Sequence, residues 1–146
     1  MARAPDATLL AFDFGTRRIG VAIGNTLTRV ASPLTTVDAP AGAPWQAIAA
    51  LIEEWRPQRL VVGLPMHADG TPHAMTARAR RFADELGTRF EIPVAMVDER
   101  WTTQIAQGRL DAARGGRNGR AKRDQVAAQV ILQAYFDERN GHAGDA

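Results

Sequence analysis

The sequence contains no cysteine. That absence removes disulfides, thiolate zinc sites, iron–sulfur ligation and cysteine nucleophiles at once. Nor is there an apolar run near the roughly 18 residues needed to span a bilayer. The start, Met1-Ala2-Arg3-Ala4-Pro5-Asp6, lacks the apolar core of a signal peptide, so the reading is of a cytoplasmic protein with no membrane partner. A uniformly basic coat is missing too, because eighteen cations against sixteen acids leave +2. Lys122 is the sole lysine, and the arginines that make up the rest suit bidentate phosphate contacts. What is present is 146 residues, 45% hydrophobic and 23% charged, the balance of one globular domain over 1–146 and too short for a second. Residues 1–7 and 140–146 read as disordered tails.

Apolar runs and turn residues give the order of elements. Leu9 to Phe14 and Ile19 to Ile23 read as strands joined by the turn Gly15-Thr16-Arg17-Arg18, with a third strand near Leu34 to Val37. Pro44 opens a helix striped by Trp45, Ile48, Ala49, Ile52 and Trp55, which Pro57 stops. Leu60 to Gly63 is a buried strand, Pro65 to Gly70 a loop, and Met75, Ala79, Phe82 and Leu86 stripe a helix. A strand at Pro93 to Val97, a helix at about Thr102 to Leu110 and a last helix at about Arg123 to Glu138 follow. Between those helices, Arg114 to Arg120 is rich in glycine and reads as a mobile loop. The fold expected is α/β: a mixed five-stranded sheet, made of a three-stranded antiparallel meander plus two parallel strands, flanked by helices.

Four carboxylates stand where chemistry is done. Asp13 interrupts an apolar strand on the face of Leu9 and Ala11; it either bonds the following turn or serves as a metal ligand or catalytic acid, since a lone carboxylate there is costly. Asp98 and Glu99 end a parallel strand, where open α/β sheets place their sites. Being adjacent, they point to opposite faces, and Glu99 is preferred for its longer reach. Asp124 precedes the Ala127, Val130, Ile131 and Ala134 stripe and points inward, or else acts as an N-cap. Oxygen-only donors select Mg²⁺ or Mn²⁺, and two such ions can promote phosphodiester hydrolysis. His67 and His73 read as loop residues. Residues 109–123 carry +5, a basic flap beside an acidic cluster suited to holding phosphates.

Together these motifs are specific. Phe12-Asp13-Phe14-Gly15-Thr16-Arg17-Arg18-Ile19-Gly20-Val21-Ala22, Val62-Gly63-Leu64-Pro65 with Asp69-Gly70-Thr71, Val97-Asp98-Glu99-Arg100 with Thr102-Thr103, and Lys122-Arg123-Asp124 with its helix resemble the YqgF (RuvX) family. That family is described both as Holliday junction resolvases and as pre-16S ribosomal RNA nucleases. The resemblance spans Leu9 to Phe136 and implies a ribonuclease H-like fold, with Asp13, Glu99 and Asp124 as catalytic and metal-holding acids. It implies a nuclease acting on nucleic acid, in maturing the 5′ end of the small-subunit ribosomal RNA or in cutting branched DNA. Thr16, Arg17, Arg18, Arg100 and Arg123 are the candidates for gripping the substrate. One departure stands out: many nucleases of this fold carry an acid at the end of the fourth strand, where this chain has Gly63-Leu64-Pro65. Two other readings compete. One is a non-catalytic RNA-binding factor in assembly of the small ribosomal subunit. The other is the phosphate-binding hairpin of actin-like ATPases, which Asp13-Phe14-Gly15-Thr16 also resembles but which needs a second lobe. A junction resolvase would want a homodimer, and an RNA-trimming enzyme can be a monomer.

Overall fold

In the computed structural model the residues described are 7–39, 44–66, 69, 71, 74–99 and 117–141, with 117–121 and 139–141 described by their backbone alone. The strands are β1 (Thr8–Asp13), β2 (Arg18–Asn25), β3 (Ser32–Asp38), β4 (Arg59–Leu64) and β5 (Val94–Asp98). The helices are α1 (Trp45–Trp55), α2 (Thr76–Phe90) and α3 (Arg117–Gly141). One sheet has the order β3-β2-β1-β4-β5. Pairing is antiparallel among the first three strands and parallel from β1 to β4 and from β4 to β5, as the sequence pattern predicts.

The two-residue period of the strands divides the core into two layers. Leu9, Ala11, Ala22, Val61 and Val97 pack under α3, against Ala128, Ile131, Leu132, Tyr135 and Phe136. Leu10, Phe12, Ile19, Val21, Leu60 and Val62 face the other way, toward Ile48 of α1 and Phe82, Ala83 and Leu86 of α2. Covered on both faces, β1 and β4 are near-continuous apolar runs. Full burial of each Leu or Ile contributes about 1.5–3 kcal/mol.

α3 lies directly on β2 because the strand offers it almost no side chain. Gly20, Ala22 and Gly24 form the face beneath the helix, and a Cβ on Gly20 would sit 1.9 Å from the Asp124 carbonyl oxygen. At Gly24 it would sit 2.8 Å from the Phe136 ring. Glycine inside a strand marks such close approach.

Some boundaries differ from the expectation. The third strand is longer, running from Ser32 to Asp38. The last helix begins at Arg117, not near Arg123, and runs on to Gly141, so the expected loop at Arg114 to Arg120 gives way to helix in its second half. No proline interrupts this stretch, its Arg, Ala, Lys and Gln residues favour helix, and the cost of about 1 kcal/mol at Gly119 is offset by the packing of later turns. Ala7, expected in a disordered tail, exchanges hydrogen bonds with Thr26. The helix expected at about 102–110, residues 114–116 and the remainder of both tails lie outside the described residues.

Candidate active site

β1, β4 and β5 end together, and the carboxylates lie at that end. Asp13 closes β1 on the α3 face and is 5% exposed; Glu99, one residue past β5, is 6% exposed. Strand alternation settles which neighbour belongs here. Ala95 and Val97 pack under α3, so Glu99 continues that face and Asp98 turns to the other.

The fourth-strand departure also acquires a physical meaning. β4 runs between β1 and β5, and the pairing of Phe12 with Val62 sets Gly63 beside Asp13. A Cβ on Gly63 would lie 3.2 Å from the Glu99 carboxyl carbon and 2.4 Å from Ile131 Cδ1. Glu99 therefore leans over β4 into space that a fourth-strand side chain would fill. Its longer side chain sets an acid from beyond β5 over the position on β4 that has no side chain.

Asp124 arrives from above. It is the eighth residue of α3, which excludes the N-cap alternative, and its backbone rests on Gly20, the pairing partner of Asp13. Its Oδ2 accepts a hydrogen bond from Arg18 Nε at 2.7 Å, with the two side chains 31% (Arg18) and 17% (Asp124) exposed. Asp13, Glu99 and Asp124 thus share one face and one end of the sheet. Among the described residues, however, no three His, Cys, Asp or Glu side chains converge closely enough to hold a metal ion, and Asp124 is turned to Arg18. The donor set still fits a hard divalent cation: it is all oxygen, and two of its carboxylates, Asp13 and Glu99, are buried at one end of the sheet.

Of the substrate-contact candidates, Thr16 and Arg17 are exposed on the turn after Asp13, and Arg123 is half-buried on α3. Arg18 is engaged with Asp124 instead of reaching outward. Arg100, His67 and His73 lie outside the described residues. Asp69 accepts hydrogen bonds from the Thr71 N–H and hydroxyl, at 2.9 and 2.7 Å, which closes a local turn.

A charge-assisted bond between partly buried partners is a measurable contribution. In a double-mutant cycle, Arg18→Gln and Asp124→Asn are each expected to cost about 1 kcal/mol. The double variant should cost little more than either one, leaving a coupling of about 1 kcal/mol in urea denaturation.

Sequence reasoning placed Gly20, Gly63 and Ile131 in its motifs and missed the close packing they provide at the site. The signal for the glycines was present, since each interrupts an otherwise apolar strand. The family model of RuvX, described as Holliday junction resolvase, matches residues 7–138. The chain belongs to the RuvX family. Among its relatives, a protein named "Putative pre-16S rRNA nuclease" in Nitrosomonas europaea is 55% identical over 139 residues, 94% of each chain. Its namesake in Burkholderia vietnamiensis is 51% identical over 145 residues, covering 97% of this chain and 96% of that one. A third, in Chromobacterium violaceum, is 52% identical over 132 residues, 88% of this chain and 96% of its own. Thermus thermophilus RuvC, solved in complex with a Holliday junction substrate, superposes with a TM-score of 0.54 at 16% identity, over 92% of this chain and 96% of that chain. At that identity the likeness is one of fold, and it makes the RuvX domain ribonuclease H-like, as its motifs implied.

Proposed function

We propose that the chain is a single-domain, divalent-metal-dependent endonuclease that trims the 5′ end of precursor small-subunit ribosomal RNA in the cytoplasm. The observation that carries this reading is the placement of Glu99 over Gly63, beside Asp13, in a chain whose relatives bear the pre-16S rRNA nuclease name. Asp13 and Glu99 would hold Mg²⁺ or Mn²⁺, with Asp124 as third donor once it exchanges Arg18 for the ion. Bound there, the ion would supply Lewis-acid stabilisation of charge building on the phosphate oxygens. Arg17, at the exposed turn beside Asp13, Arg123 on α3, and Thr16 and Arg100 would contact phosphates flanking the cut, and the released Arg18 would join them.

The RuvX description favours a second reading, cleavage of a four-way DNA junction. The two differ in symmetry: trimming one RNA end needs one site, whereas resolving a junction needs a two-fold pair. Incubating the protein with a precursor ribosomal RNA fragment and a four-way junction in parallel, with Mn²⁺ or with EDTA, separates them. Cleavage of the RNA, abolished by EDTA, is the expected result. Cleavage of the junction alone would move the function to DNA, and binding without cleavage of either would make the chain a ribosome-assembly factor. No helix among the described residues is long and apolar enough to cross a membrane.

A further inference from the structure

The same sheet end carries a second feature, on the face away from the carboxylates. Phe14 follows Asp13 and so turns to the α1–α2 side, where it packs against the second core layer. There it borders a cavity of about 580 Å³ lined by Phe14, Gly15, Thr16, Trp45, Arg78 and Arg81, among others. The wall is aromatic: Phe82 stacks on Trp45 at 5.4 Å between ring centroids and lies 4.9 Å from Phe14. The rim is cationic. Arg78, Arg81, Phe82 and Glu85 form one stripe of α2, and the single acid in it, Glu85, is paired with Arg89 at 2.6 Å. Arg89 in turn lies over the Trp45 ring, 4.6 Å from its centroid. Neither Arg78 nor Arg81 is in an ion pair among the described residues, and both are exposed.

We propose that this cavity is a subsite for an unpaired nucleotide of the substrate strand, close to the scissile phosphate. The inference rests on the nuclease reading and specifies the substrate: it requires a single-stranded segment at the cut. An aromatic wall accepts the face of any base, and a pair of guanidinium groups at the rim meets its phosphate. The volume falls within the roughly 300–1,000 Å³ of small-ligand sites. The turn Gly15-Thr16-Arg17 joins the two faces, so a strand lying across the end of β1 would pass from the carboxylates to the cavity without leaving the protein. A duplex could not place a base there without unpairing it.

The test uses a short single-stranded RNA carrying 2-aminopurine, and the same RNA in a blunt duplex, both in EDTA so that nothing is cut. For wild type, binding of the single strand should quench 2-aminopurine fluorescence. The double variant Arg78→Ala/Arg81→Ala, with both changes on an exposed helix face, should bind the single strand roughly tenfold more weakly and bind the duplex as wild type does. Its salt dependence for the single strand should flatten by about 0.7 in the log–log slope, the contribution of the one phosphate that is no longer neutralised. Trp45→Leu should abolish the quenching while leaving the salt slope intact. Equal losses for strand and duplex, or unchanged single-strand binding in both variants, would overturn the subsite. If EDTA-sensitive cleavage of the precursor RNA persists in that case, the nuclease reading stands without it. A wild-type protein that neither binds the strand nor cuts the precursor overturns both.

Discussion

Asp13→Asn is expected to lower metal-dependent cleavage by roughly 100- to 1,000-fold while leaving the protein within about 1 kcal/mol of wild-type stability. The two halves of this prediction have different causes. A divalent ion contributes several kcal/mol of charge stabilisation at a phosphoryl centre, and each 1.36 kcal/mol is a factor of ten in rate. Removing a carboxylate that holds the ion forfeits much of that. Folding responds much less: Asp13 is buried at the end of β1, and an amide of the same shape keeps one acceptor oxygen in place of the carboxylate while carrying less desolvation cost. Single-turnover cleavage of the precursor RNA beside a urea titration measures both. A variant that cuts as fast as wild type would remove Asp13 from the chemistry. One that loses activity and stability together would make Asp13 a folding residue.

The largest structural effect is expected at Gly20→Ala. The added Cβ would lie 1.9 Å from the Asp124 carbonyl oxygen and 2.3 Å from its carbonyl carbon. Both are backbone atoms, so no rotamer change relieves the overlap and α3 must lift from β2. Overpacking of this kind costs about 1–3 kcal/mol or more, which for a domain of this size lowers Tm by roughly 5–10 °C. The lift also carries Asp124 away from Asp13 and strains its bond to Arg18. Gly20→Ala should therefore lose both stability and cleavage, where Asp13→Asn loses cleavage alone. Differential scanning calorimetry with the same cleavage assay reads the contrast; a Gly20→Ala protein with an unchanged Tm would show that the helix does not rest on the strand as described.

Much of this is legible in the chain because two periodicities carry it. Alternation in Leu9 to Asp13 places Asp13 on one face, and the 3.6-residue spacing of Ala127, Val130, Ile131 and Ala134 marks the buried side of α3; the structure buries Ala127 and packs the other three against this layer or within it. Alternation also says that Asp98 and Glu99 part company. It does not say which one joins Asp13, since that depends on how β5 pairs with β4. The start of α3 is hidden because the glycines before Arg123 look like a loop, while the packing of the following turns, which extends the helix backward, has no local signature. The bond between Arg18 and Asp124 spans 106 positions, and no local pattern reveals a pairing of that range. Likewise, the wall formed by Phe14, Trp45 and Phe82 draws one ring from each of three segments that meet only when the sheet is covered.

The most direct measurement is calorimetric titration of Mn²⁺ into the wild-type protein and into Glu99→Gln and Asp98→Asn. These adjacent carboxylates are chemically alike and differ in which face of the sheet they occupy. Wild type and Asp98→Asn should bind the ion equally, and Glu99→Gln should bind it at least roughly tenfold more weakly, in step with its loss of cleavage. Weakened binding in Asp98→Asn with normal binding in Glu99→Gln would contradict the site built on Asp13 and Glu99 across Gly63.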